Sequence, residues 1–230
     1  MKKFELTAEY VTTIFGKKLF RIKALAAFGD VKEGELGGFV EKESNIDDDG
    51  NAWVSGNARV SGDARVYGDA LVSGNAWVSG DARVYGDARV CDNARVSCNA
   101  RVYGNARVYG NAQVYGNAMI SGDAMVSGNA WVYGDAWVSG DAMVSGDAMV
   151  SGNLDYAIVG CFGSEQRTTT FFRKKDGSAG VKCGCFYGTI DEFRAKVKET
   201  HKDSKYAQEY LMIADLMELH FAGGKEDDER

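Results

Sequence analysis

Two histidines and five cysteines are the side chains of this 230-residue sequence best suited to acid–base, nucleophilic or metal chemistry. A general base needs a pKa near neutrality, so His201 and His220 are its candidates. His201 is expected at the end of a helix, where a cation complements the helix dipole. His220 is expected near the apolar face of a second helix, as a packed residue. Cys183-Gly184-Cys185 would place two thiols on one face of a strand, with Cys161 close by. A structural zinc site needs four ligands in tetrahedral reach, and the plainer role for these thiols is as small buried hydrophobes. Asp47, Asp48 and Asp49 form an acidic run whose plainer reading is a solvated turn rather than a metal site. There is no Gly-rich phosphate loop, no Ser-His-Asp order and no carboxylate pair at a recognisable spacing. No catalytic residue, metal or cofactor is therefore assigned.

A second chemistry is carried by Arg and Tyr. Arg65 and Tyr67 recur as Arg83 and Tyr85, and again as Arg101 and Tyr103, at one constant offset. A guanidinium beside a phenol grips a phosphate or a base by charge, hydrogen bond and stacking. A column of Arg repels itself unless anions sit nearby. The expectation is a face for a small anionic ligand such as a nucleotide, or for an acidic partner protein. The plainer reading is that the stems shield the surface, with nearby Asp as counter-charges.

The spacing of these residues comes from a six-residue word. From Asn51 to Gly152 the chain reads NAWVSG, NARVSG, DARVYG and so on, seventeen words without insertion. The second position is always Ala, and the fourth is Val except at Ile120. Residues two apart on a strand face the same way, so Ala and Val point inward and the third position points out. Gly followed by Asn or Asp is corner chemistry, because these residues tolerate left-handed torsions. Each word is thus a short strand and a corner. The Arg–Tyr pairs return after three words, so three words close one triangular coil of a solenoid. Each coil buries three Val or Ile, each worth roughly 1.5–3 kcal/mol.

The pattern aliphatic-x-x-x-small-x, as in Val66-Tyr67-Gly68-Asp69-Ala70-Leu71, resembles the hexapeptide-repeat superfamily. The resemblance implies a mainly β fold, a left-handed parallel β-helix with three hexapeptides per coil. Many members of that superfamily are acyltransferases, with a His base near a loop extruded from a coil and acyl-CoA bound between subunits of a trimer. This chain departs from that pattern twice: its words contain neither an extruded loop nor a histidine.

The third positions divide the repeat into two zones. The first eleven words hold seven Arg against five Asp. The last six words hold Met119, Met125, Trp131, Trp137, Met143 and Met149. Apolar side chains on three outer faces call for a cover. Met and Trp suit an interface, so this zone is expected at a contact with a partner or with other subunits, a trimer being favoured.

Residues 1–50 read as an N-terminal β cap, in which Val40 and Ile46 begin a degenerate coil. Residues 153–222 read as a small α+β unit. It has strands at "DYAIVGCF", "RTTTFFRKK" and "AGVKCGCFYG", a hairpin turn at "KDGS", and a capping box from Thr189 to Glu192. Ile190, Phe193 and Val197 mark the inner face of the first helix, and Tyr206, Tyr210, Ile213 and Met217 that of the second. Residues 223–230 read as a disordered acidic tail. The net charge of −6 argues against general nucleic-acid binding, and no apolar run is long enough to span a membrane. With no secretory signal at its start, the chain is expected in the cytoplasm.

Together, "GELGGFVEKESN", the repeat block and "TTTFFRKKDGS" to "CGCFYGTIDEFRAKVKETH" resemble phage and prophage proteins often labelled acyltransferases from the repeat alone. That resemblance implies a phage or prophage origin and the same fold, and the expected role is a non-catalytic, oligomeric binding or scaffold protein that engages a host factor or an anionic ligand, an anti-defence function being one form of it. The alternatives are an acyltransferase with its site between subunits, and a structural spacer of the virion.

Overall fold

The computed structural model describes residues 2–222, so the expected acidic tail lies outside the described residues. An N-terminal meander comes first: β1 (Phe4–Thr12), β2 (Lys18–Ala24) and β3 (Leu36–Val40). Seventeen two-residue strands follow, one to each word, from β4 (Trp53–Val54) to β20 (Met149–Val150). The chain closes with a four-stranded antiparallel sheet, β21 (Tyr156–Phe162), β22 (Arg167–Arg173), β23 (Ala179–Cys183) and β24 (Phe186–Thr189). Two helices, α1 (Ile190–His201) and α2 (Lys205–Ala222), pack on that sheet.

The short strands pair in parallel, each with the third strand after it, Val66 with Val84 and Val84 with Val102, and so build three sheets around one core. The Ala and Val or Ile of every word are buried to within 1%. This inward pair and the coil-to-coil hydrogen bonds are the whole stabilising unit, so each coil depends chiefly on its two neighbours. The corners demand a positive φ. Gly128 has φ 67°, and a Cβ there would lie 2.7 Å from the Gly146 nitrogen in the next coil. Asp92 and Cys98 take the same conformation without being glycine, at φ 59° and 60°. Asp92 recovers part of that strain by accepting a hydrogen bond from the Gly110 amide, at 3.0 Å.

The degenerate first coil is present. Val40 pairs with Val60, and Ile46 bridges to Val66, so this coil is two residues longer than those of the repeat. The buried Asn45 supports the wider coil by donating its side-chain amide to the Gly62 and Ala64 carbonyls. One expectation fails here: the outward third position is not always solvent-facing. Trp53 is only 3% exposed, because Phe28 of the N-terminal cap packs edge-on against its indole at 5.4 Å.

The C-terminal unit seals the other end. The Met143 amide donates to Thr170 Oγ1 at 2.9 Å, the Trp137 amide to Asn153 Oδ1 at 2.9 Å, and Lys174 bridges to Ala148. Within the unit, "KDGS" turns a hairpin with Gly177 at φ 83°, and Thr189 and Glu192 form the capping box. Two expectations are corrected. "AGVKCGCFYG" is two strands rather than one: Cys183 pairs with Phe186, and Gly184-Cys185 is the turn between them. The buried face of α2 runs through Ala207, Tyr210, Ala214, Met217 and Phe221, and Tyr206 is exposed. The face is rotated because α1 and the sheet meet α2 along a line of small and large residues that a count of large ones does not reveal.

Asp155 ties the cap to the last coil. It accepts hydrogen bonds from the Ser151 amide and hydroxyl and an ion pair from Arg173. Partial burial opposes its charge, but the Ser151 and Arg173 contacts outweigh burial and hold the carboxyl below its ordinary 3.8. A lowered folded-state pKa means that the stabilisation is complete above the unfolded value. It is lost as pH falls through the folded one.

Replacing Gly128 by Ala is expected to destabilise the protein by about 2 kcal/mol, from left-handed strain plus the backbone clash. Cys98→Gly is expected to stabilise it by about 1 kcal/mol, through relief of the same strain; apparent Tm values of the two variants check both signs. Asp155→Asn is expected to lower Tm at neutral pH and to remove most of this site's acid sensitivity. Melts of wild type and variant that shift in parallel on acidification would contradict that assignment.

Candidate ligand-binding faces

The three-word register decides which outward side chains stand together. One face carries Arg65, Arg83, Arg101, Met119 and Trp137 in a single column. A second carries Trp53, Leu71, Arg89, Arg107, Met125 and Met143. The third carries Arg59, Trp77, Arg95, Gln113, Trp131 and Met149.

On the first face the expected column of phenols is present. The Tyr67 and Tyr85 rings stack at 4.8 Å and 3°, and Tyr85 and Tyr103 at 5.0 Å and 4°. Burial in this stack, and then the neighbouring phenols, push the Tyr85 hydroxyl above its ordinary pKa. The ladder ends where Ser121 follows Tyr103 in the column, so no further phenol covers the outer face of Tyr103. Arg65 lies over the Tyr67 ring at 5.8 Å and pairs with Asp47.

The other arginines of the repeat differ in one respect. Among the described residues, no carboxylate lies within salt-bridge distance of Arg59, Arg83, Arg89, Arg95, Arg101 or Arg107. Five of the corner carboxylates are engaged elsewhere. Asp63 pairs with Lys42, and Asp69, Asp123, Asp135 and Asp147 accept from the Asn one coil earlier. Among the described residues the corners thus give these guanidinium groups no direct ion pair.

The later coils are less open than their composition suggests. Met119, Met125, Trp131, Met143 and Met149 are half-buried, and only Trp137 is largely exposed, at 46%. Lys175 of the cap places its ammonium 4.2 Å from the Trp131 ring, which also meets Tyr115 edge-on. Trp137 lies back along the wall and donates from Nε1 to Ser121 Oγ at 3.1 Å.

The remaining candidates sit in the C-terminal unit. His201 ends α1, half-buried against Tyr210 at 5.6 Å, and lines an apolar cavity of about 120 Å³ together with Cys183. His220 is exposed, its ring against Phe221. Cys183 accepts a hydrogen bond from Thr169 Oγ1, whereas Cys161 and Cys185 are exposed. The expectation that Cys183 and Cys185 share one strand face is overturned by the turn at Gly184. Among the described residues, no group of three His, Cys, Asp or Glu side chains is placed to hold a metal ion, and Asp47 and Asp48 instead contact Arg65 and the Lys3 amide.

The sequence reading missed one feature. A groove opens on the third face between Trp77 and Tyr115, above Ser79 and Ser97. Its signal was present as consecutive Ser in a column that later turns to Tyr, a change that attention to Arg alone passes over.

Six segments of the solenoid, residues 52–66, 64–80, 76–91, 100–115, 112–126 and 120–134, match the family model of the YdcK β-solenoid repeat. The chain is similar to that repeat over those coils, which places it among the repeat β-helices. No curated protein matches it. No described helix is long and apolar enough to cross a membrane.

Proposed function

We propose that this protein is a non-catalytic solenoid that holds a nucleotide-like anion, or an acidic surface of a host protein, on the face of Arg83, Arg101 and the Tyr67–Tyr85–Tyr103 stack. The observation that carries the reading is the pairing of stacked phenols with guanidinium groups that have no salt-bridged carboxylate among the described residues. Such groups bind phosphate with charge and directed hydrogen bonds. The rigid stack supplies a platform that costs little ordering on binding. A base would continue the stack on the outer face of Tyr103, with phosphate against Arg101 and Arg83. The unbroken run of strands from β4 to β20, and histidines confined to the C-terminal helices, favour binding over acyl transfer. The resemblance to phage and prophage proteins supplies the host setting. In the same reading the protein self-associates, a trimer being favoured, with Trp137 and the neighbouring Met of the later coils at the contact.

Fluorescence anisotropy with labelled ATP tests the face. The Arg83→Ala, Arg101→Ala double variant is expected to weaken binding at least about tenfold, and added salt to weaken the wild type. Tyr85→Ser, which installs the residue used at this position in other words, is expected to weaken it as well. Failure of ATP and of an acidic peptide to bind saturably would sink the proposal. Light scattering on the eluted protein is expected to give a multiple of the chain mass, and a clean monomer would remove the oligomer.

A further inference from the structure

The groove on the third face is a different site from the Arg–Tyr face, on a different sheet of the prism. It encloses about 200 Å³ and is lined by Trp77, Ser79, Arg95, Ser97, Gln113 and Tyr115. The small fifth-position side chains of two successive coils, Ser79 and Ser97, form its floor. Trp77 is fixed at one end by the hydrogen bond from its Nε1 to Ser61 Oγ, at 3.2 Å. Tyr115 is fixed at the other by stacking on Tyr133 at 5.2 Å and by its edge contact with Trp131. Burial in this cluster pushes the Tyr115 hydroxyl above its ordinary pKa, so it stays a neutral donor and acceptor. Arg95 projects beside the groove with no described carboxylate in salt-bridge reach.

The volume is below the usual range for drug-sized ligands, roughly 300–1,000 Å³, and suits a single ring. The lining is more specific than the size. Two hydroxyls and an amide offer both donors and acceptors, as a polyhydroxylated ring requires. The indole offers an apolar surface for the C–H face of such a ring. The Arg95 guanidinium, with no salt-bridged carboxylate among the described residues, favours an anionic substituent, and a carboxylate meets its fork geometry. We infer that this groove is a binding site for an acidic sugar, a single uronate- or sialate-type ring, with its carboxylate on Arg95 and its hydroxyls on Ser79, Ser97 and Gln113.

The repeat itself supplies test substitutions that the fold already accepts. Leu stands at the position of Trp77 in the preceding word, as Leu71; Gln follows Arg95 in its column, as Gln113; and Tyr follows Ser97, as Tyr115. Glucuronate, N-acetylneuraminate, glucose and AMP serve as probes in saturation-transfer NMR and calorimetry on the full chain. Both acidic sugars are expected to bind and glucose to bind at least about tenfold more weakly. Ser97→Tyr is expected to abolish binding by filling the groove. Trp77→Leu and Arg95→Gln are each expected to weaken it about tenfold or more. The Arg83→Ala, Arg101→Ala variant is expected to leave it unchanged, which separates this site from the Arg–Tyr face. Absence of saturable sugar binding, equal binding of glucose, preference for AMP, or binding that survives Ser97→Tyr would each overturn the assignment.

Discussion

The three-word offset between hydrogen-bonded coils is the constraint on which the rest of this molecule depends. Each coil donates its amides to carbonyls of the coil that follows, as Trp53 does to Ala70 and Arg101 to Ala118. Inward Ala and Val leave no room for slippage, so an outward side chain has no choice about what stands above and below it. Neighbours in a column are about 5 Å apart, as the tyrosine rings show. At such a distance two like charges in water repel by about 1 kcal/mol, and by more where water is excluded. Every column must answer that repulsion with its own chemistry.

Where an Asn precedes it in the column, a corner residue answers it with an amide. Asn75, Asn93, Asn111 and Asn129 form a continuous ladder in which each side-chain NH₂ donates to the next oxygen. Asparagine can pass such a chain on because it both donates and accepts, whereas aspartate can only accept. Aspartate therefore ends a run, on its C-terminal side: Asn129 donates to Asp147, Asn117 to Asp135, Asn105 to Asp123 and Asn51 to Asp69. This order turns Asp69, Asp123, Asp135 and Asp147 along the prism axis, toward the amide one coil earlier. The Arg column has only its long stems with which to spread charge, and that leaves it open to an external anion.

Most of the fold was legible because the repeat exposes its own geometry. Tyr67, Tyr85 and Tyr103 share an offset, and a shared offset in a solenoid is a shared column. Val40 and Ile46 betrayed the first coil by their spacing, though not its two extra residues, which fall between Ile46 and Val54. What escaped was decided between elements. Trp53 has the same local sequence as Trp77, yet only Trp53 lies under Phe28 of the cap. Cys183 and Cys185 alternate as a strand would, and only the pairing of Cys183 with Phe186 turns the chain between them. The groove beside Trp77 is made by side chains from three coils, a combination that no single word contains.

The two ends of the prism are chemically opposite, and their caps match. Because amides point toward the C-terminus, the first coil presents unpaired carbonyls and the last presents unpaired N–H groups. The N-terminal cap supplies donors: the Phe39, Glu41 and Asp47 amides reach Ala58, Val60 and Val66, and Asn45 adds its side chain. The C-terminal unit supplies acceptors: Thr170 to the Met143 amide and Asn153 to the Trp137 amide, with the Tyr187 hydroxyl toward Asp147. Several edge groups at both ends are thus already bonded within one chain. The flat sides lie between these two caps. There the column order makes the early coils basic and the later ones apolar.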